Sequence, residues 1–215
     1  TPRSHKQIMQ QTSILLEFLG TIAFAITAVL AGTEKRIDLL SACVFALVTA
    51  VGGGTIRDVI INQPVFWATS QFYIWVPILC AVIAFFWKKI FIRKRVNKLL
   101  LYMDAVGISV FAIQAFEKVW NLDYGTPLGP IILGVITAIG GGIMRDVMAG
   151  RSNLLLSKEL YAIPILIGCV AYAFILNYAP GYSLYSGLFC MVLIFAIRCI
   201  AIEERLTVPK WLIST

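Results

Sequence analysis

Long apolar runs, with no strict alternation of polar and apolar positions, dominate this chain. Seven stretches stand out: residues 12–32, 39–62, 71–92, 98–119, 127–149, 159–178 and 182–202. Each is long enough to cross the roughly 30 Å of hydrocarbon in a bilayer as a helix. Within lipid every backbone N–H and C=O needs an internal partner, and spans without a period of two meet that need as helices, not as barrel strands. The pattern predicts an all-α integral membrane protein: seven transmembrane helices with short connections, forming one membrane domain over residues 1–215. Residues 1–11 read as a polar tail with no secretory signal, because the first apolar run is itself long enough to span.

The chain repeats itself. Residues 49–59 (TAVGGGTIRDV) and 137–147 (TAIGGGIMRDV) are identical at eight of eleven positions with an offset of 88. Upstream, residues 17–28 align with 104–115 at an offset of 87, matching Glu17 to Asp104 and Gly20 to Gly107. Downstream, VPIL at 76–79 aligns with IPIL at 163–166. Three consecutive spans are covered in each half, so the first repeat is 12–92 and the second 98–178. An odd number of helices per repeat makes the second copy enter from the opposite side. That gives an inverted repeat about an axis in the membrane plane, an arrangement that recurs in transport proteins. The seventh span, 182–202, lies outside the repeat and reads as a packing or assembly helix.

The repeated motif carries the candidate chemistry. Each glycine costs roughly 1 kcal/mol in a helix relative to alanine. Gly52, Gly53 and Gly54 in span two and Gly140, Gly141 and Gly142 in span five therefore predict a bend or an unwound turn. The competing reading is close helix packing, which small residues permit. Arg57 and Asp58 follow the first run, and Arg145 and Asp146 the second. With Glu17 and Asp104 they make six ionised groups at membrane depth. Each costs on the order of 2.5–3.5 kcal/mol near a helix centre unless it is paired or hydrated. Depth places Glu17 with Arg57 and Asp104 with Arg145. Neighbours in sequence do not face each other on a helix, so Asp58 alone is not expected to neutralise Arg57. The six charges sum to −2, which favours cations in a water-filled path. Buried pairs also serve as structural clamps. Thr49 and Thr137, one turn before the glycines, either line the same path or bond back to their own helices.

Composition agrees with a membrane protein and narrows the rest. The chain is 60% hydrophobic and only 13% charged, where a soluble domain carries about a quarter charged residues. Its net charge of +7 comes from basic residues flanking the spans, not from a nucleic-acid module. One side holds Arg3, Lys6 and Lys118. The other holds Lys35, Arg36, Lys88, Lys89, Arg93, Lys94, Arg95, Lys98, Arg151, Lys158, Arg205 and Lys210. The positive-inside rule puts the second side in the cytoplasm, with the N-terminus outside and the C-terminus inside. The basic loop 88–98 also offers a surface to anionic lipid headgroups. Cys43, Cys80, Cys169, Cys190 and Cys199 lie in apolar spans and read as small buried hydrophobes. The single histidine, His5, sits in the tail, so neither a histidine metal site nor a catalytic triad is expected, and no cofactor. Nor does a nucleophile–base pair or phosphate loop appear, so an enzyme is not expected.

The paired GGGxxRDV motifs, with the stretch from Arg151 to Tyr161, resemble the bacterial UPF0126 family, whose domain carries the label glycine transporter. That family is similar to the trimeric intracellular cation (TRIC) channels. The resemblance covers nearly the whole chain. It implies a homotrimer in the bacterial inner membrane with one pore per subunit, lined by spans two and five at their glycines. The permeant ions would be monovalent cations, potassium or sodium. The first repeat has Thr55-Ile56 where the second has Ile143-Met144, so the two mouths should differ in polarity. A secondary transporter of a small zwitterion such as glycine is the other expectation, since half-helix ends can hold a carboxylate as well as an ion.

Overall fold

The computed structural model describes residues 2–32, 37–87, 93–157 and 160–207, with side chains described from residue 11 in the first helix and from residue 96 in the fifth. The described residues form eight α-helices and no strand: α1 (Pro2–Gly32), α2 (Leu39–Ile60), α3 (Phe66–Thr69), α4 (Phe72–Trp87), α5 (Arg93–Asn121), α6 (Leu128–Ala149), α7 (Ala162–Tyr178) and α8 (Ser183–Glu203). Short 3₁₀ turns cover Leu154–Leu156 and Pro180–Tyr182.

Among the described residues, five helices, where seven were expected, are long and apolar enough to cross a membrane by themselves: Gln11–Gly32, Leu39–Ile60, Val96–Asn121, Leu128–Ala149 and Pro180–Glu203. The other two expected spans appear as shorter apolar helices, Phe72–Trp87 and Ala162–Tyr178. Two boundaries depart from expectation. The polar start of the chain is helical from Pro2 and continuous with the first span. Residues 93–98, expected in a basic loop, open α5. The third span was expected to reach residue 92; α4 is described as far as Trp87, and residues 88–92 lie outside the described residues. Lys88 and Lys89, like Lys35, Arg36, Lys158 and Lys210, lie outside the described residues.

Local chemistry sets the helix ends. Asp38 caps α2, its carboxylate accepting from the Ser41 N–H at 2.8 Å and the Ser41 hydroxyl at 2.9 Å. Those bonds favour the ionised form and lower its pKa. Gly150 ends α6 with φ of 58°, the left-handed cap that glycine adopts without a Cβ penalty.

The repeat is visible in the packing. α1 and α5 cross with Phe24 of one lying on Gly107 of the other and Phe111 lying against Gly20. Each phenylalanine occupies the space its repeat-related glycine leaves, and the two rings sit 5.3 Å apart. Phe24, Ile108, Ile113, Phe116, Ile165 and Tyr172 belong to the main core and are almost fully buried. The outward faces of α4, α7 and α8 are apolar: Trp75, Leu79, Phe86, Phe174 and Phe189 are each more than half exposed. An exposed apolar surface of this kind on a helical bundle suits lipid or another subunit.

Candidate functional site: a triglycine crossing between two buried charge clusters

The two triglycine runs meet. Both lie in continuous α-helix, so neither is an unwound turn, and all six glycines are buried. What they supply is proximity. A Cβ on Gly53 would collide with the Thr137 carbonyl oxygen, and one on Gly141 with the Thr49 carbonyl oxygen. One on Gly140 would stand 3.2 Å from the Gly53 Cα. Backbone lies on backbone where α2 and α6 cross. Thr49 and Thr137 belong to this crossing through their carbonyls. Their hydroxyls bond back to Phe45 O at 2.8 Å and Leu133 O at 2.6 Å, as one of the two readings of those residues expects. Gly52 lies under the Met144 side chain and Gly54 under the Phe66 ring.

One turn beyond each glycine run the same structure is built twice. Arg57 Nε donates to Asp58 Oδ1 at 2.8 Å, and Arg145 Nε to Asp146 Oδ1 at 2.9 Å. The other carboxylate oxygen of each aspartate accepts a backbone N–H eight residues ahead: Phe66 for Asp58 at 2.9 Å, Leu154 for Asp146 at 3.1 Å. Each aspartate thus ties the end of its helix to the segment that follows. The expectation that Asp58 alone would not neutralise Arg57 is therefore corrected, since Asp58 is the carboxylate with which Arg57 forms its ion pair. A long guanidinium folds back along the helix surface and reaches the next residue, where a shorter cation would not.

The partners of these pairs differ between the halves. At the Asp146 end the expected contact is present: Arg145 Nη1 lies 2.6 Å from Asp104 Oδ1, and both side chains are fully buried. At the Asp58 end, Arg57 forms its ion pair with Asp58, and Glu17 instead accepts a hydrogen bond from the Tyr73 hydroxyl. Glu17 and Arg57 still share a neighbourhood, since Tyr73 packs edge-on against Phe66 at 4.7 Å and the Arg57 guanidinium stands over Phe66 at 5.8 Å. Lys118 of α5 adds a second cation, with its Nζ 2.8 Å from Asp58 Oδ1.

Three further charged residues lie within the spans. Lys118 was placed on a flank by sequence, and Glu117 beside it went unremarked; Glu117 lines a cleft with Ser13, Gln114 and Met191. Arg198 is fully buried in α8, with its Nη1 bonded to Leu160 O at 2.7 Å and its guanidinium 5.1 Å from the Tyr161 ring centre. An arginine inside an apolar span was the available signal for it. Lys118 and Arg198 cancel the −2 of the original six charges, and Glu117 returns the total to −1.

Comparison with known proteins fits this arrangement. A family model described as glycine transporter matches residues 14–89 and again 101–177. A UPF0126 membrane protein of Vibrio cholerae is 36% identical over 93% of this chain and 83% of its own length. The chain belongs to the UPF0126 family. Another UPF0126 relative, the inner membrane protein YadS of Escherichia coli, is 34% identical over 91% of this chain and 94% of its own. Among solved structures, the TRIC trimeric intracellular cation channel orthologue from Rhodobacter sphaeroides superposes with a TM-score of 0.84 at 32% identity, covering 91% of this UPF0126 chain and 99% of that one. The UPF0126 fold and the TRIC channel fold are thus the same helical architecture.

Proposed function

We propose that this protein is a potassium-permeable monovalent cation channel. It acts as a homotrimer in the bacterial inner membrane, with one path per subunit running along α2 and α6. The observation that carries the reading is the pair of repeat-related charge clusters, one on each side of the triglycine crossing. Ionised groups buried this deeply in an apolar bundle need compensation that mutual pairing supplies only in part. Water and a passing cation supply the rest. Support also comes from the likeness to TRIC cation channels.

In this reading α4 and α7 complete seven spans, and the two halves are inverted copies. The N-terminus lies outside and the C-terminus in the cytoplasm, so the Asp58 cluster faces outward and the Asp146 cluster inward. The path includes Gly52, Gly53, Gly54, Arg57 and Asp58 on α2 and Gly140, Gly141, Gly142, Arg145 and Asp146 on α6. Backbone contact at the crossing closes the way between the clusters. Conduction follows when α2 and α6 part there, and glycine makes that parting inexpensive because few side-chain contacts must break. The apolar outer faces meet lipid and the neighbouring subunits, and the basic residues of 88–98 meet anionic headgroups.

A small-zwitterion carrier is the second reading, favoured by the description of the matching family model. Flux from proteoliposomes separates the two. The channel reading expects potassium to run down its gradient without saturation at low millimolar levels, together with unitary currents in planar bilayers. Saturable, gradient-coupled uptake of labelled glycine with no unitary current would overturn it.

A further inference from the structure

The helix outside the repeat reaches the Asp146 cluster. Arg198 of α8 is fully buried. Its Nη1 is bonded to Leu160 O, while its Nε and Nη2 have no partner. It does not stand alone in this. Asp104 Oδ2, Arg145 Nη2 and the Tyr161 hydroxyl are also buried and unpartnered. Three of these residues converge on Gly142. A Cβ there would lie 2.6 Å from the Tyr161 hydroxyl, 3.4 Å from Asp104 Oδ1 and 3.7 Å from Arg145 Nη2. Arg198 joins them through its stacking on the Tyr161 ring. Buried polar atoms are normally satisfied, so a group of them in one place marks a spot where water enters.

Charge then separates the two ends. At the Asp58 end, Glu17 and Asp58 accompany Arg57 and Lys118, and Glu117, close enough to Glu17 to feel its charge, leaves an excess of one negative charge. At the Asp146 end, Asp104 and Asp146 would leave the same excess over Arg145. Arg198 removes it. Resting on the channel reading above, we propose that Arg198 is the residue that sets ion preference at the Asp146 end. Its fixed positive charge lowers the local concentration of cations there, and it makes the two ends of the path electrically unequal. A charge in a poorly hydrated space acts at a distance that bulk water would screen, so Arg198 need not touch the ion.

The test is reversal potential under a potassium chloride gradient, with purified protein in planar bilayers. Neutralising the charge by Arg198→Gln is expected to raise the potassium-over-chloride permeability ratio about threefold, the scale of one unit charge acting across roughly 10 Å of partly hydrated space. It should also reduce rectification. Arg198→Lys keeps the charge and should stay near the wild-type ratio. Arg198→Met, which keeps an unbranched stem, gives the same readout if the glutamine variant does not fold. Neutral variants with the wild-type ratio would overturn the assignment. So would a result in which both neutral variants unfold while Arg198→Lys folds, because the charge would then be a clamp. Wild-type protein that passes no cation current overturns the channel reading and this assignment together, whereas a conducting wild type with unresponsive variants overturns only the assignment.

Discussion

The two halves share a motif and differ in what surrounds it. At the Asp146 end, Arg145 bridges two carboxylates, Asp146 and Asp104, with all three side chains buried. At the Asp58 end the ratio is reversed: one carboxylate, Asp58, takes two cations, Arg57 and Lys118, and Lys118 keeps about a third of its side chain exposed. Repeat alignment explains part of this. Position 118 in α5 corresponds to Ala31 in α1 at the offset of 87, and Ala31 is buried in the same core cluster as Ala149. Where one copy has a lysine reaching a carboxylate, the other has a methyl group in the core. The duplicated sequence fixes the Arg–Asp pair and its backbone anchor. The helices around each copy then decide which other charges reach the pair.

The comparison can be broken most sharply at Arg145. Arg145→Met leaves Asp104 and Asp146 buried without their cation, and breaking a buried pair in this way costs on the order of 3–5 kcal/mol. Arg57→Met should cost clearly less, because Asp58 keeps Lys118 and the Phe66 N–H. Thermal unfolding in detergent compares the two, and equal losses would mean the ends are energetically alike.

Next in size is the crossing. Gly53→Ala and Gly141→Ala each place a methyl group against a carbonyl oxygen of the other helix, and overpacking of this kind typically costs about 1–3 kcal/mol. Gly140→Ala, whose methyl group would meet the Gly53 Cα at 3.2 Å, should be milder. Melting temperatures in that order support backbone contact between α2 and α6. An inverted order would contradict it.

A smaller effect distinguishes the two carboxylates of the first helices. Tyr73→Phe removes the hydroxyl that holds Glu17 and should cost about 1 kcal/mol, the net worth of one hydrogen bond. Tyr161→Phe removes a hydroxyl with no partner and should leave stability within about 0.5 kcal/mol. Lys118→Met should also be small, about 0–1 kcal/mol, since Asp58 keeps Arg57 and Lys118 is itself partly exposed. A large loss there would show that Lys118 is a principal clamp on Asp58.

Much of this was legible in the sequence, because apolar length and internal repetition are strong signals. The motif offset of 88 foretold that one local structure would be repeated in both halves, though not that each arginine would pair with the aspartate next to it, and the match of Gly20 to Gly107 gave no sign of the phenylalanines that pack there. The Asp104–Arg145 pair followed from depth alone. Glu17 lies in the neighbourhood of Arg57 but bonds to Tyr73, because depth locates a residue along a helix without fixing its rotation. The triglycines were expected to bend or unwind, and they do not unwind, because propensity counts the cost of glycine in an isolated helix. It does not count the contact that glycine permits with a second helix. Arg198 was passed over because α8 has no repeat partner to draw attention to it.

The central claim is that the carboxylates beside the crossing face a conducting path and are not merely clamps. Reversal potentials of the double variant Asp58→Asn with Asp146→Asn, recorded in planar bilayers beside the wild type and paired with melting temperatures, test it most directly. The account predicts a folded protein whose potassium-over-chloride preference falls toward unity. A protein that loses stability while its channels keep the wild-type preference would contradict it.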